Sequence, residues 1–291
     1  MAHTSSLSKW RLQTAAQSTR HSAAQGATQW GWAVSGALLG ALLATLVFAP
    51  ARWLAAVVTQ ASQGHVLLTN TRGTVWGGSA ELQLAGGTRS LGSVALPGRV
   101  DWRLRPGLDR INAEISATCC MAQPLQVSAW PRWSGARIEL DDHLSSWPAA
   151  LLAGLGTPWN TVQAQGTLVI SSKALALDWA AERLTMAGSL QVDAKDMASR
   201  LSTLKPMGSY RLTLNGGTAN TLQLETLQGS LQLSGNGQWV GGKLRFDGSA
   251  SAAPERQDAL SNLLNIIGRR DGARAIIRVG QFPSGTSTQF T

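Results

Sequence analysis

The chain has 291 residues, of which 44% are apolar and only 14% charged, and its formal net charge is +9. Three cations, Lys9, Arg11 and Arg20, stand near the N-terminus without one acid; the other 22 of the 25 basic residues are spread singly against 16 acidic ones. Only Arg269, Arg270, Arg274 and Arg278 cluster, so the basic stripes with interleaved aromatics that mark nucleic-acid binders are missing, and no nucleic-acid partner is assigned.

Residues 1–29 are rich in Ser, Thr, Gln and Ala, carry His3 and His21, and show no apolar period. They read as a poorly ordered tail. From Trp30 to Ala49 the chain runs WGWAVSGALLGALLATLVFA, with no ionisable side chain. A helix of this length rises about 30 Å, the thickness of a bilayer's hydrocarbon core. Trp30, Trp32 and Trp53 bracket the run where aromatic belts sit, and the cations before it place the N-terminus in the cytoplasm. The competing reading is a cleaved signal peptide, since Ala49-Pro50-Ala51 is a small-x-small pattern. The apolar run is longer than such signals use, and proline is poor cleavage context, so the reading adopted is an uncleaved anchor.

Pro50 interrupts the helix, and residues 51–63 continue it as a short helix at the outer boundary. From Val66 onward apolar residues alternate two by two, as half-buried strands do. Ala80, Leu82 and Leu84 share a face, as do Val100, Trp102 and Leu104; Ile111, Ala113 and Ile115 follow, then Leu125, Val127 and Ala129, then Ala136, Ile138 and Leu140. Gly86-Gly87, Pro97-Gly98, Pro106-Gly107 and Ser134-Gly135 punctuate them as turns. Between Ser146 and Gly156 the alternation lapses, and Pro148 followed by glycines predicts one or two helical turns.

Short strands resume around Leu168 and Ile170, Leu175 to Trp179, Leu184 and Met186, and Leu190 and Val192. Met197, Leu201 and Leu204 at i, i+4, i+7 predict a second short helix that Lys205-Pro206 stops. Ser209–Gly248 reads as an antiparallel meander, with Asn-Gly and Gly-Gly turns between alternating runs. Pro254–Arg270 reads as an amphipathic helix with Leu260, Leu263, Leu264 and Ile267 on one side and Gly268 as its C-cap. A last strand, Arg274–Val279, precedes a polar tail.

The fold class is therefore mainly β: one N-terminal transmembrane helix, then an extracytoplasmic antiparallel β body with a few short helices. Sheets with one apolar face bury that side and leave the other wet, and this body could be a curved sheet or a sandwich. The domain plan is a cytoplasmic tail (1–29), a transmembrane helix (30–49), a juxtamembrane helix and linker (50–65), a periplasmic β domain (66–282) and a polar tail (283–291).

The residues offer little chemistry. Neither GxSxG nor HExxH is present, and His65 and His143, the histidines beyond the apolar run, stand apart from any nucleophile motif. Asp141-Asp142-His143 is the one polar cluster open to a metal or acid–base reading; placed between a strand and a helix, its acids read as caps or turn formers, whose loss leaves the fold nearly intact. Cys119 and Cys120 are adjacent and read as a pair of half-buried thiols, with a vicinal disulfide as the alternative. Trp76, Trp102, Trp179 and Trp239 lie in or beside strands, and Trp130, Trp133, Trp147 and Trp159 near prolines; they read as packing and boundary residues rather than a ligand platform. No catalytic, cofactor-binding or metal-binding residue is assigned, and no cofactor is expected.

Five blocks carry a family resemblance: RGTVWGGSA at 72–80, LPGRVDWRLRP at 96–106, GLGTPWN at 154–160, LKPMGSY at 204–210 and LQLSGNGQW at 231–239. In this order, after a single apolar span, they resemble the type II secretion system protein N (general secretion pathway protein N) family, from about Pro50 to Val279. The polar tail before the span departs from that pattern. The resemblance implies a non-catalytic bacterial inner-membrane protein, single-pass with a periplasmic body, whose partners are other subunits of the secretion machinery and the lipid of the inner membrane. A second hypothesis is a membrane-tethered β-groove protein that binds or transfers lipid, similar in outline to AsmA-like proteins, with an open apolar trough as its discriminating feature.

Overall fold

A computed structural model describes residues 22–87, 92–180, 183–240 and 242–280. It divides into two compact units that join between Ala49 and Pro50.

The first unit contains one helix, α1 (Ser22–Val47), which starts upstream of the apolar run; Ser22–Gln29 are thus helical, and the remainder of the expected tail lies outside the described residues. Its stretch Trp30–Val47 is long and apolar enough to cross a membrane. Trp30, Leu38, Leu39 and Val47 are all exposed, on sides of the helix that no single stripe contains.

In the second unit, α2 (Ala51–Ala61) follows Pro50 and buries Ala51 and Ala55. The strands are β1 (Val66–Gly73), β2 (Gly77–Ala85), β3 (Ser93–Ala95), β4 (Val100–Pro106), β5 (Ile111–Ala117), β6 (Leu125–Arg132), β7 (Gly135–Leu140) and β8 (His143–Pro148). After a 3-10 segment (Ala149–Leu155) and a single turn, α3 (Trp159–Val162), come β9 (Gln165–Ala180), β10 (Arg183–Ala198), β11 (Gly208–Asn215), β12 (Thr221–Gly229), β13 (Leu231–Val240) and β14 (Lys243–Ala252). Helix α4 (Gln257–Ile267) precedes a last hairpin, β15 (Arg269–Asp271) and β16 (Arg274–Val279).

All sixteen described strands join one sheet, and every pairing is antiparallel. The order follows the sequence except that β3 pairs with β2 and β8 with β9, off the main path, and that β16 pairs with β14 and leaves β15 outermost. The sheet is open, with β1 and β15 at its edges, so the sandwich alternative gives way to a single layer.

Two expected pairs of short strands are each one strand of 16 residues, β9 and β10. Their register slips by one between Ala187 and Ser189, where Ala174 (φ 46°) and Gly188 (φ 80°) are left-handed. A bulge shifts the alternation by one residue, so Ser172 and Leu175 point the same way although three positions apart. In sequence this looks like the end of one strand and the start of another.

The register aligns one apolar face across the body. Val100, Trp102 and Leu104 meet Ala117, Ile115 and Ala113; Ile138 meets both Ala129 and Leu177; Val192 meets Ile170 and Leu212; Leu212 meets Leu224. Three patches of this face are covered. Helix α2 packs Ala51 and Leu54 with Ala80, Trp102, Leu68 and Leu104. The 3-10 segment sets Leu151 with Leu96, Ala117 and Cys120. Leu260, Leu263 and Leu264 of α4 join Tyr210, Leu231, Ala250 and Ala275. Connections at one end of the ladder, the helix end, carry the 3-10 segment and α4, while α2 starts beside Thr74 at the other end and runs to the helix end; at that other, turn end, Gly73–Gly77, Pro106–Ile111, Arg132–Gly135 and Asn215–Thr221 are short turns.

Two helical expectations fail locally. Residues 199–207 form turns rather than a helix, because Ser199 and Ser202 compete for the backbone. The Ser199 hydroxyl accepts from the Leu201 N–H at 3.1 Å and donates to the Val162 carbonyl at 2.6 Å; that of Ser202 accepts from Leu204 at 3.1 Å and donates to Ala259 at 3.2 Å. Helix α4 ends at Ile267, and Arg269–Asp271 turn into β15. Gly268 is extended rather than a left-handed cap (φ −163°); a Cβ there would meet the Ile276 carbonyl oxygen at 2.5 Å, so it is close approach that demands glycine.

Phe246 is buried over glycines of β13 and β14, and a Cβ on Gly235 would lie 2.3 Å from its ring. Gly235→Val is expected to cost about 1–3 kcal/mol through overpacking, whereas Gly217→Ala, with nothing within 4 Å of the added carbon, leaves stability within about 0.5 kcal/mol; thermal unfolding of the full chain in detergent checks both. The Tyr210 hydroxyl is buried without a hydrogen-bond partner, and burial pushes its pKa up. Tyr210→Phe is therefore expected to leave stability unchanged or raise it by up to about 1 kcal/mol in the same measurement.

Candidate interaction surface

Asp141 and Asp142 link β7 to β8, two strands that pair with successive halves of β9, so the segment is a strand-to-strand corner and not the strand-to-helix loop expected. The Asp142 carboxylate accepts the N–H of left-handed Ala174 at 2.7 Å. The Ser172 hydroxyl accepts from the His143 N–H at 3.2 Å and donates to the Asp141 carbonyl at 3.1 Å. Every one of these bonds fixes backbone, so the acids form the turn. Among the described residues, no three His, Cys, Asp or Glu side chains gather into a cation site.

Cys119 and Cys120 are joined by a disulfide, which corrects the expectation of two thiols. The chain curls after β5, with the N–H groups of Cys120 and Met121 both donating to the Ala117 carbonyl at 3.0 and 2.9 Å. This curl brings neighbouring side chains together, which an extended strand would point apart. Cys120 is buried beside Leu96 and Leu151.

The tryptophans divide. Trp102 is buried and donates to the Val75 carbonyl at 3.0 Å; Trp147 donates to the Ser145 hydroxyl at 2.9 Å. Trp130 lies under the Arg110 guanidinium at 5.8 Å. Trp133 and Trp179, by contrast, are exposed at the turn end. With Ala136, Ile138, Leu177 and Leu184, Trp179 lines an apolar cleft of about 290 Å3.

The polar face pairs its charges across strands. Arg211 grips Asp193 with two bonds of 2.8 and 2.9 Å, and Arg137 bridges Asp178 at 3.2 Å. The hydrogen bond from Arg211 is the main cause that holds the Asp193 carboxyl below the usual carboxylate range. Pairs of this kind leave no concentrated charge on that face.

The sheet edge at β16 is different. Strand β15 covers β16 only at Arg274, Ala275 and Ile276, and among the described residues no strand pairs the outer edge of Ile277–Val279. A cleft of about 640 Å3 lies there, lined by Ile267, Arg269, Arg270, Ile277 and Val279 among others. Unpaired strand edge, apolar flank and guanidinium groups suit an added strand bearing acidic side chains.

Because folding lowers the Asp193 pKa, its pairing stabilises the body above the ordinary carboxylate range and fades as pH falls through the folded value. Asp193→Asn is expected to lower stability at pH 7 by about 1–2 kcal/mol. The gap to the unsubstituted chain should narrow as pH falls below the ordinary carboxylate range and close once the folded carboxyl is protonated, as thermal unfolding across pH would show.

Neither the curated proteins nor the solved structures offer a match to the chain. The family model for type II secretion system (T2SS) protein N matches residues 64–277, most of the chain and nearly all of the sheet. The chain belongs to the type II secretion system protein N family.

Proposed function

We propose that the chain is a non-catalytic component of the type II secretion machinery that acts through protein contacts of its β body. The plan follows: residues 1–29 in the cytoplasm, 30–49 across the inner membrane, 50–65 as a juxtamembrane helix, 66–282 in the periplasm and 283–291 as a polar tail. Lys9, Arg11 and Arg20 ahead of the span support that orientation. Family membership implies contact with other secretion-system subunits. The observation that carries the reading is the family match over an open sheet in which, among the described residues, no strand pairs the outer edge of β16 at Ile277–Val279.

The second reading, a tethered β-groove protein that binds or transfers lipid, draws on one observation, the incompletely covered apolar face with its cleft beside Trp179. Lipid co-purifying with the full chain in defined stoichiometry would favour it.

A photo-crosslinking residue placed at Arg269 or Val279 in cells is expected to capture another secretion-system subunit, while the same residue at Gln223 on the sheet's polar face is not. Absence of any secretion-system adduct at either edge position would contradict the proposal.

A further inference from the structure

The two ends of the sheet are unlike. At the helix end the 3-10 segment and α4 cover the apolar face, and α2 covers the β1–β2–β4 corner along its length. At the turn end large apolar side chains stand bare: Leu108 and Trp133 are fully exposed in their turns, Trp179 and Leu184 are each 60% exposed, and Val279 is 49% exposed. They come from four separate connections or strand ends that the register ladder brings to one end.

Cations accompany them. Among the described residues, Arg105, Arg110, Arg132, Arg183 and Lys243 are exposed at these turns against Asp109; Asp178, slightly further in, is already bridged by Arg132 at 3.3 Å and Arg137 at 3.2 Å. Aromatic rings and leucines ringed by guanidinium groups match a membrane–water interface, where rings sit at headgroup level and cations meet lipid phosphates.

The chain itself supplies the occupant. The Pro50 backbone bridges Thr74, in the turn between β1 and β2, so this unit begins at its turn end. Helix α1 ends at Val47, and three residues reach at most about 10 Å. A membrane crossed by α1 is therefore within reach of the end that carries the bare side chains.

We propose that the turn end of the sheet rests on the membrane surface, with Leu108, Trp133, Trp179 and Leu184 inserted among the headgroups of an anionic leaflet and the neighbouring arginines on its phosphates. The inference rests on α1 spanning the membrane and is independent of which subunit the β16 edge meets.

The test uses the full chain in vesicles of phosphatidylethanolamine and phosphatidylglycerol. Spin labels are placed singly through Leu108→Cys, Trp133→Cys and Leu184→Cys, with Gln123→Cys at the helix end and Leu42→Cys in α1 as references. The native cysteines are engaged with each other. Labels at 108, 133 and 184 should collide more with oxygen than with a water-soluble nickel chelate, and the ratio should invert at 123. If they favour the chelate as 123 does while 42 reports lipid, the inference is overturned and the span stands. If 42 also favours the chelate, both fall. Leu108 and Trp133 are fully exposed, so their replacement leaves the fold intact.

Discussion

The body is governed by a problem of cover. Sixteen described strands in one open layer carry a single apolar face, and α2, the 3-10 segment with α3, and α4 bury parts of it. Apolar surface left in water costs about 25 cal/mol per Å2, so the sequence spends its helices where strands change direction through long connections. The 3-10 segment and α4 lie at one end, and α2 runs to that end from the other. Small residues let the cover come close: Ala51 against Ala80, and Gly154 so near the Leu84 carbonyl that a Cβ would collide at 2.3 Å. What remains bare at the other end is the physical motive for a contact outside the body.

Keeping that face continuous requires a device in the middle of the sheet. Strand β9 is paired along one half with β8 and along the other with β7. The break between those partners is the Asp141-Asp142 corner, and the bulge at Ala174 and Gly188 lies in line with it. The Asp142 carboxylate on the Ala174 N–H ties corner to bulge. With the bulge, Ile170 and Leu177 point to the same side; without it, one half of β9 would turn its leucines to water.

Much of this was legible from the residues. The uncharged run announced a long apolar helix, and the alternation with its Gly-rich turns announced a mainly antiparallel body and most of its hairpins. What was hidden is physically specific. The bulge shifted the period, so long strands read as pairs of short ones. The hydroxyls of Ser199 and Ser202 took the backbone bonds that a helix at Met197–Leu204 would need. Gly268 does cap α4, its N–H on the Leu264 carbonyl, but in an extended conformation, and it is the close approach of β16 that demands glycine there. The disulfide depended on a local curl after β5, which residue spacing does not reveal. The unpaired edge at Ile277–Val279 was foreseeable only as an edge in general, because the shortness of β15 follows from where α4 stops.

The central claim is that the family's role in secretion is carried out by the β body and not by the span alone. The direct measurement is the fraction of a type II cargo reaching the medium from cells lacking this chain, supplied in turn with the full chain and with residues 1–49 only. The account predicts that export falls without the chain, returns with the full chain and does not return with residues 1–49. Export restored by residues 1–49, or undiminished without the chain, would contradict it.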